Sequence, residues 1–305
     1  MNTNELVTVT VTYHPELDLL RAQLEALPNN CLKVIVDNAS TETARKSIRE
    51  LRESIPNVHC VENSENIGLA AALNQGVRLG KKLCPDALWC LLLDQDSELQ
   101  GNCLAELWNG MHSLISQGER VGCVGPVLVD AKTGLTHGFH QMTQWRWRRI
   151  YPTHNDEAPV RCSNVNGSGT LMPIDLFLQL KGLDESLFID HVDTEWSFRL
   201  QAHGYTLWGI PNATFLHRMG ETSLRFWLLG WRVWPDRSPQ RHRYLFRNAV
   251  WLMRRPYIPN VWKFWAIIKL VLTMGVYTVF DSRRRSQLKN MLLGLKQGLL
   301  ERGHE

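Results

Sequence analysis

The sequence predicts an α/β fold built on a mostly parallel central sheet flanked by helices. Three observations predict it. Apolar or Val/Thr-rich strand segments alternate with stretches of helical periodicity over residues 6–124, the pattern of helices packed on both faces of a sheet. Three of those strands stop in polar or acidic residues, Thr12-Tyr13, Asp37-Asn38 and Asp94-Gln95-Asp96. Ligands of such sheets bind beyond the carboxyl ends of the strands. At 305 residues and 44% apolar content, the chain is long enough to bury a sizeable core.

Each element follows from a local signal. Alternating Val and Thr over 6–13 read as a strand. Leu17, Leu20, Leu24 and Leu27 stand at helical spacing within 15–27. A second apolar strand, 32–36, ends at Asp37-Asn38, and Ser40 or Thr41 can cap a helix running to about Ile55. Residues 58–61 form a short strand and 62–68 a polar loop. A helix over 69–83 and a buried strand over 88–93 follow, then a helix over 103–116 and a strand over 121–124. The crossovers should be right-handed. Residues 130–165 are less regular and hold Trp145-Arg146-Trp147-Arg148-Arg149, an expected exposed or partner-facing segment. The run Val165-Asn166-Gly167-Ser168-Gly169 reads as a loop that something approaches closely. A helix is expected over 194–202 and a β-like stretch over 206–210, ahead of Phe215-Leu216-His217-Arg218. There are no internal repeats.

Charge divides the chain. Residues 237–305 carry 14 Lys and Arg against 3 Asp and Glu, whereas 1–236 carry 20 against 27. The net of +4 therefore hides a basic C-terminal part. Six of the twelve Trp fall between Trp227 and Trp265. Basic residues interleaved with Trp, Phe and Leu favour an anionic membrane surface and argue against nucleic acid, although a solvated helical face has the same composition. We therefore expect two parts, 1–236 and a membrane-associating helical region, 237–305. The long apolar run 264–280 contains Lys269 and is followed by Arg283-Arg284-Arg285. It is shorter than the roughly 20 apolar residues a span needs, so it is expected to lie in the membrane interface, with a span or a plain core helix as alternatives. Seven scattered Cys without a paired motif imply reduced thiols and a cytoplasmic setting. The N-terminus opens directly into a strand pattern, so no signal peptide is expected.

The acidic motifs carry the chemistry. Asp94 and Asp96 offer hard oxygen ligands for a divalent cation such as Mg or Mn, shared with substrate phosphates. In an extended segment, positions i and i+2 would face the same way. Asp190, Asp193 and Glu195 form a second cluster about a hundred residues later, a source of a general base.

Together these residues carry a resemblance to the family 2 inverting glycosyltransferases with the GT-A nucleotide-sugar-binding fold, specifically the bacterial rhamnosyltransferases. It covers about residues 6–255. It rests on Val11-Thr12-Tyr13-His14-Pro15, Val36-Asp37-Asn38-Ala39-Ser40, Glu65-Asn66-Ile67-Gly68-Leu69-Ala70 and Leu92-Leu93-Asp94-Gln95-Asp96-Ser97. It continues in Asn166-Gly167-Ser168-Gly169, Phe188-Ile189-Asp190-His191-Val192-Asp193-Thr194-Glu195-Trp196 and Arg247-Asn248. Asp-x-Asp alone is a weak signal; all of these in order are a strong one.

The resemblance implies roles. Asp193 would be the catalytic base, in a partly apolar setting that raises its pKa, while also suiting a helix cap. Asp96 would be the main metal ligand with Asp94 nearer the ribose, and His217 would stand near the metal or diphosphate or be merely structural. Thr12, Tyr13, Asp37, Asn66, Gly68 and Asn74 would line the nucleotide side, Asp37 accepting the imide N–H of the base or else serving the turn. Gly68 would allow close approach there. Asn166, Gly167, Ser168 and Gly169 would touch acceptor or donor sugar. Glu195 would bind acceptor, or be an ordinary first-turn acid. Arg146, Arg148 and Arg149 would meet anionic glycan or lipid phosphate, or only water.

The implied activity is transfer of L-rhamnose from dTDP-β-L-rhamnose to a glycan or lipid-linked acceptor, with inversion, in lipopolysaccharide core or O-antigen assembly. The enzyme would be peripheral on the cytoplasmic face of the bacterial inner membrane. Rhamnolipid synthesis, another nucleotide sugar and a non-catalytic glycan-binding subunit are the alternatives. A processive synthase is disfavoured, because Thr143 stands where the Gln of a Gln-x-x-Arg-Trp motif should precede Arg146-Trp147.

Overall fold

The computed structural model describes residues 2–131, 134–152, 158–217, 223–227 and 231–301, with only the backbone described at 217, 223–227 and 231–235. The first half alternates as the periodicities predict: β1 (Leu6–Thr12), α1 (Leu17–Ala26), β2 (Leu32–Asp37), α2 (Glu42–Ser54), β3 (Val58–Glu62), α3 (Leu69–Leu83), β4 (Trp89–Asp94), β5 (Ser97–Leu99), α4 (Cys103–Ser116) and β6 (Val121–Asp130). Thr41 caps α2 by accepting the Ala44 N–H. Then come β7 (Thr136–His137), β8 (Phe139–Met142), β9 (Trp147–Ile150), β10 (Val160–Cys162), β11 (Thr170–Pro173), α5 (Ile174–Gln179), α6 (Val192–Ala202) and β12 (Thr206–His217). The chain continues through β13 (Ser223–Trp227), β14 (Trp231–Pro235), α7 (Pro239–Arg254), α8 (Asn260–Phe280) and α9 (Arg284–Leu300).

The main sheet runs β10-β12-β6-β11-β4-β1-β2-β3. β3, β2, β1 and β4 are mutually parallel, whereas β11 is antiparallel to both β4 and β6. From β1 the chain builds outward to β2 and β3, then returns to add β4 on the other side. That reversal opens a crevice between the carboxyl ends of β1 and β4, where open α/β sheets bind ligands. It places Thr12-Tyr13 beside Asp94.

Several boundaries differ from the sequence reading. Gly125-Pro126 signals a strand end, yet β6 runs on to Asp130. Its partner absorbs the disruption: Ile210 pairs with Pro126 and Thr214 with Val127, so residues 211–213 bulge out. The irregular segment holds an antiparallel hairpin, β8–β9; Trp145 at its tip is 81% exposed. Helix α6 starts at Val192 rather than at 194.

The C-terminal helices pack into the body of the protein. Trp251 and Leu252 of α7 and Trp262 and Ala266 of α8 join the core that includes Val9, Val34, Leu92 and Trp196. In α8, Trp262, Ala266, Leu270, Thr273 and Tyr277 form a buried stripe at helical spacing. Phe264, Ile267, Val271, Leu272 and Val279 remain exposed on the other side. By length and composition alone α8 could cross a membrane.

Candidate active site

A cleft of about 840 Å³ opens at the β1/β4 crevice and extends to the N-terminus of α6 and the side of α8. Asp94, Gln95 and Asp96 line it, together with Tyr13, Asn38, Asn66 and Asp193. Residues 95–96 turn rather than extend, so the same-face geometry of an extended Asp-x-Asp does not apply, although both carboxylates still border the cleft. The turn is held from three sides. Gln95 accepts the Tyr13 N–H at 2.7 Å and donates to the Tyr13 carbonyl at 3.3 Å. Gln23, fully buried, donates to the carbonyls of Asp94 and Ser97. Ser168 accepts the Asp94 N–H at 2.9 Å and bonds Ser97.

The loop 166–169 thus joins the two acidic motifs. A Cβ on Gly167 would lie 3.8 Å from that of Asp193, while the next residue is bonded to Asp94. Gly169 takes φ +79°, and a Cβ added there would lie 2.7 Å from the Pro126 ring, so the position admits no side chain.

Asp193 sits in the first turn of α6, after His191 as the N-cap residue, so it is not itself the cap. Thr194 donates to it, through its N–H at 2.8 Å and its hydroxyl at 3.4 Å. Burial raises its pKa, the Thr194 N–H opposes that, and the charge of Asp190 adds to it; the net shift is upward.

The turn that delivers Asp193 is built from left-handed residues, with φ near +60° at Phe188, Asp190 and His191. Non-glycine residues hold such a conformation only when their surroundings over-determine it. Asn248 of α7 supplies the constraint. Its amide donates to the carbonyls of Leu187, Ile189 and Asp190 at 2.7, 2.7 and 3.0 Å, and Arg247 donates to those of Ser186 and Leu187. On the opposite side the Phe188 carbonyl accepts the Leu69 N–H at 2.6 Å, at the start of α3. Asn248→Ala should leave these carbonyls short of a donor and cost about 1–3 kcal/mol of stability. Turnover should fall more than donor affinity, because the turn carries Asp193. Thermal unfolding combined with kcat and donor Kd checks this; an unchanged kcat would disconnect the clamp from catalysis.

Beyond this turn the cleft wall is basic. Arg241 and Arg237 pair with Asp190 at 3.2 and 3.5 Å. Burial alone would raise the Asp190 pKa, but the two guanidinium groups outweigh it and hold the carboxyl below its usual range. His191 is pushed down to about 3 by burial and by Lys269, so its ring is uncharged near neutral pH.

Other expected site residues lie inside the fold. Asp37 is fully buried and accepts bonds from Thr12, Ser40 and Arg45. It orders the β2–α2 turn, the alternative its sequence context allowed, and shows no face to the cleft. Thr12 is spent on the same contact. Asn74 is buried, bonding both backbone groups of Leu183 and the Glu185 carboxylate, so it does not line the nucleotide side. Gly68 (φ +89°) permits a close approach, but to Phe188, whose ring lies 2.6 Å from any added Cβ. Glu195 is 1% exposed, paired with Arg199 and Arg255 and accepting the Tyr257 hydroxyl; an acceptor cannot reach it there. The side chain of His217 is outside the described residues; its backbone pairs with Ser97, one residue beyond Asp96.

Sequence reasoning missed Asn38, which donates to Asn66 and to the Gly68 carbonyl at the cleft floor, and it gave Arg237, Arg241 and Lys269 no place in the site. The available signals were Asn38 within its strand-end motif and the lone lysine in an apolar run.

Asp94 and Asp96 fit a divalent cation. Among the described residues no three His, Cys, Asp or Glu side chains gather into a complete cage. A pair of carboxylates is the donor set Mg²⁺ or Mn²⁺ uses when substrate phosphates and water complete the shell.

The family model for glycosyl transferase family 2 matches residues 8–179. Along its sequence the chain is 27% identical over 300 residues to the dTDP-rhamnosyl transferase RfbF of Shigella flexneri, covering 98% of this chain and 96% of that protein. It is 24% identical over 255 residues to the N-acetylglucosaminyl-diphospho-decaprenol L-rhamnosyltransferase of Mycobacterium tuberculosis, covering 73% and 79%. Its structure aligns with GalNAc-T7 in complex with UDP, GalNAc and Mn²⁺ at a TM-score of 0.59 and 17% identity, over 97% of this chain; it spans 56% of that one. The fold is GT-A.

Proposed function

The chain belongs to glycosyl transferase family 2 and is a glycosyltransferase, and from that premise we propose that it transfers L-rhamnose from dTDP-β-L-rhamnose to a glycan or lipid-linked acceptor, with inversion. The observation that carries the mechanism is the 166–169 loop, which holds Asp94 through Ser168 and abuts Asp193 through Gly167. One side of the cleft is thereby suited to a metal-bound diphosphate and the other to a general base. Asp94 and Asp96 would hold the divalent cation, which when bound neutralises the charge of the leaving diphosphate. Tyr13, half exposed at the end of β1, offers a ring for the nucleobase, with Asn38 and Asn66 beside it. Asp193 would take the proton of the acceptor hydroxyl as that oxygen attacks the anomeric carbon.

Rhamnose as the sugar rests on the two named relatives and on the form of both acidic motifs. A donor panel tests it: dTDP-L-rhamnose should be consumed far faster than UDP-glucose or UDP-galactose, and a preference for a UDP-hexose would refute it. The pathway we propose is lipopolysaccharide core or O-antigen assembly, at the cytoplasmic face of the inner membrane. A deletion strain should lose one deoxyhexose from its surface glycan by mass spectrometry; an unaltered glycan would exclude that pathway.

The organisation we propose is a donor-handling part, 1–236, and a basic, aromatic C-terminal part that meets the membrane. The exposed face of α8 and the surrounding Lys and Arg supply the apolar area and the attraction to anionic lipid that interfacial binding needs. Ile267→Asp with Val271→Asp, both outward-facing, should reduce co-sedimentation with anionic vesicles while leaving donor binding intact. Vesicle binding unaffected by the pair would remove α8 from the contact.

A further inference from the structure

The segment that follows β10 is bonded to α6 residue by residue. The Ser163 carbonyl accepts the Gln201 amide at 2.9 Å. The Asn164 amide donates to the Thr194 hydroxyl at 3.0 Å. The Val165 N–H donates to the Ser197 hydroxyl at 3.2 Å. The β8–β9 hairpin anchors the same segment from behind: the His140 carbonyl accepts the Ser163 N–H, and the Ser163 hydroxyl accepts the Met142 N–H. Position 164 is therefore fixed against the turn of α6 that carries Asp193.

The contact at Thr194 bears on the chemistry. Asn164 and Thr194 are both buried, and a buried hydroxyl places its proton on a partner. A hydroxyl has one proton to give and two lone pairs to receive with. The Asn164 amide fills a lone pair, which leaves the proton to be given. Asp193 Oδ1 lies within reach of it at 3.4 Å. The Thr194 N–H reaches that same oxygen at 2.8 Å, so two donors converge on Oδ1.

We propose that Asn164 is a positioning residue for proton transfer: by donating to Thr194 it aims that hydroxyl's proton at Asp193 Oδ1, so that Oδ2 is the oxygen that takes the proton of the acceptor. This inference rests on the reading of Asp193 as the base. The attacking oxygen gives its proton to Oδ2 and an electron pair to the anomeric carbon, and the diphosphate leaves with the pair of the broken bond. Hydrogen bonds donated to a carboxylate favour its ionised form, so the Thr194 hydroxyl opposes the burial that raises the Asp193 pKa. The other groups that act there are Asp190 and the uncharged His191 on the same turn, Arg237 and Arg241 through Asp190, and Lys269 of α8. Thr194→Val alters none of them, because it keeps the shape of threonine and removes only the hydroxyl.

The acid limb of kcat/KM, measured with the full chain, follows ionisation of the base in the free enzyme. In Thr194→Val the limb should move to higher pH. Below the native midpoint kcat/KM should then fall about three- to tenfold, and on the alkaline side it should converge on the native value. Thr194→Ser restores the hydroxyl and should return the limb. Asn164→Leu should move it in the same direction by less. Added to Thr194→Val it should move the limb no further, since Asn164 acts through that hydroxyl. Donor affinity should stay native in every variant.

A limb unmoved in Thr194→Val, equal limbs in the Ser and Val variants, or a double variant that shows the sum of the single displacements would each overturn the proposal. With the Asn164 amide reversed, the hydroxyl's proton would be spent on Asn164 and the Val variant would leave the limb in place. A loss uniform across pH would make the contact a structural one and overturn it too. Carboxyl-carbon NMR of Asp-labelled protein, with Asp193→Asn identifying the resonance, follows the same displacement without turnover. A failure of Asp193 as base would appear separately, as activity retained in Asp193→Asn.

Discussion

Asp193→Asn should lower transfer by about a hundred- to ten-thousand-fold and leave donor affinity close to that of the native enzyme. The substitution keeps the side chain's size and its contact with the Thr194 N–H but removes the ability to accept a proton. The pH profile gives the same assignment a second reading. Burial raises the Asp193 pKa, the Thr194 N–H pulls against it, and Asp190 adds to the rise. A base works deprotonated, so kcat/KM should fall as pH drops through that raised value, at a pH above the ordinary aspartate range. The Asn variant should lose this acid limb. Near-native turnover in the variant would move the base elsewhere, to Asp190 first. Asp190 is the weaker candidate because two guanidinium groups hold it ionised and occupied.

Removing the metal side should be as damaging. Asp96→Ala, or excess EDTA with native enzyme, should abolish transfer and weaken binding of dTDP, since diphosphate and carboxylates repel each other unless a cation lies between them. The paired variant Glu98→Ala, just beyond the motif, controls for general disturbance of the turn. Full activity in EDTA would show that this cleft handles the diphosphate without a metal.

The parallel half of the fold was legible because its signals are local. Helix α3 begins and ends at the residues the periodicity gives, and so does α4, since the spacing of apolar residues along each settles which face is buried. What escaped depends on partners distant in sequence. Nothing near Pro126 reveals that β12 will bulge to accommodate it. Strand ends at Asp37 and Asp94 look alike in sequence, yet Arg45, Ser40 and Thr12 close over the first while the second borders the cleft. Glu195 and Asp193 are two residues apart and on different sides of α6, and Arg199, Arg255 and Tyr257 enclose the first of them. The C-terminal helices show the same limit. Composition marks them as basic and aromatic, but not that Asn248 will hold the turn before Asp193 or that Lys269 will enter the cleft wall.

The central claim is a single displacement at the anomeric carbon of rhamnose, with proton removal by Asp193. Proton NMR of the glycoside formed from dTDP-β-L-rhamnose tests it most directly. One in-line displacement must give an α-L-rhamnoside, and that product should disappear in Asp193→Asn. A β-L-rhamnoside would require a second displacement or a different face of attack, and would contradict the account.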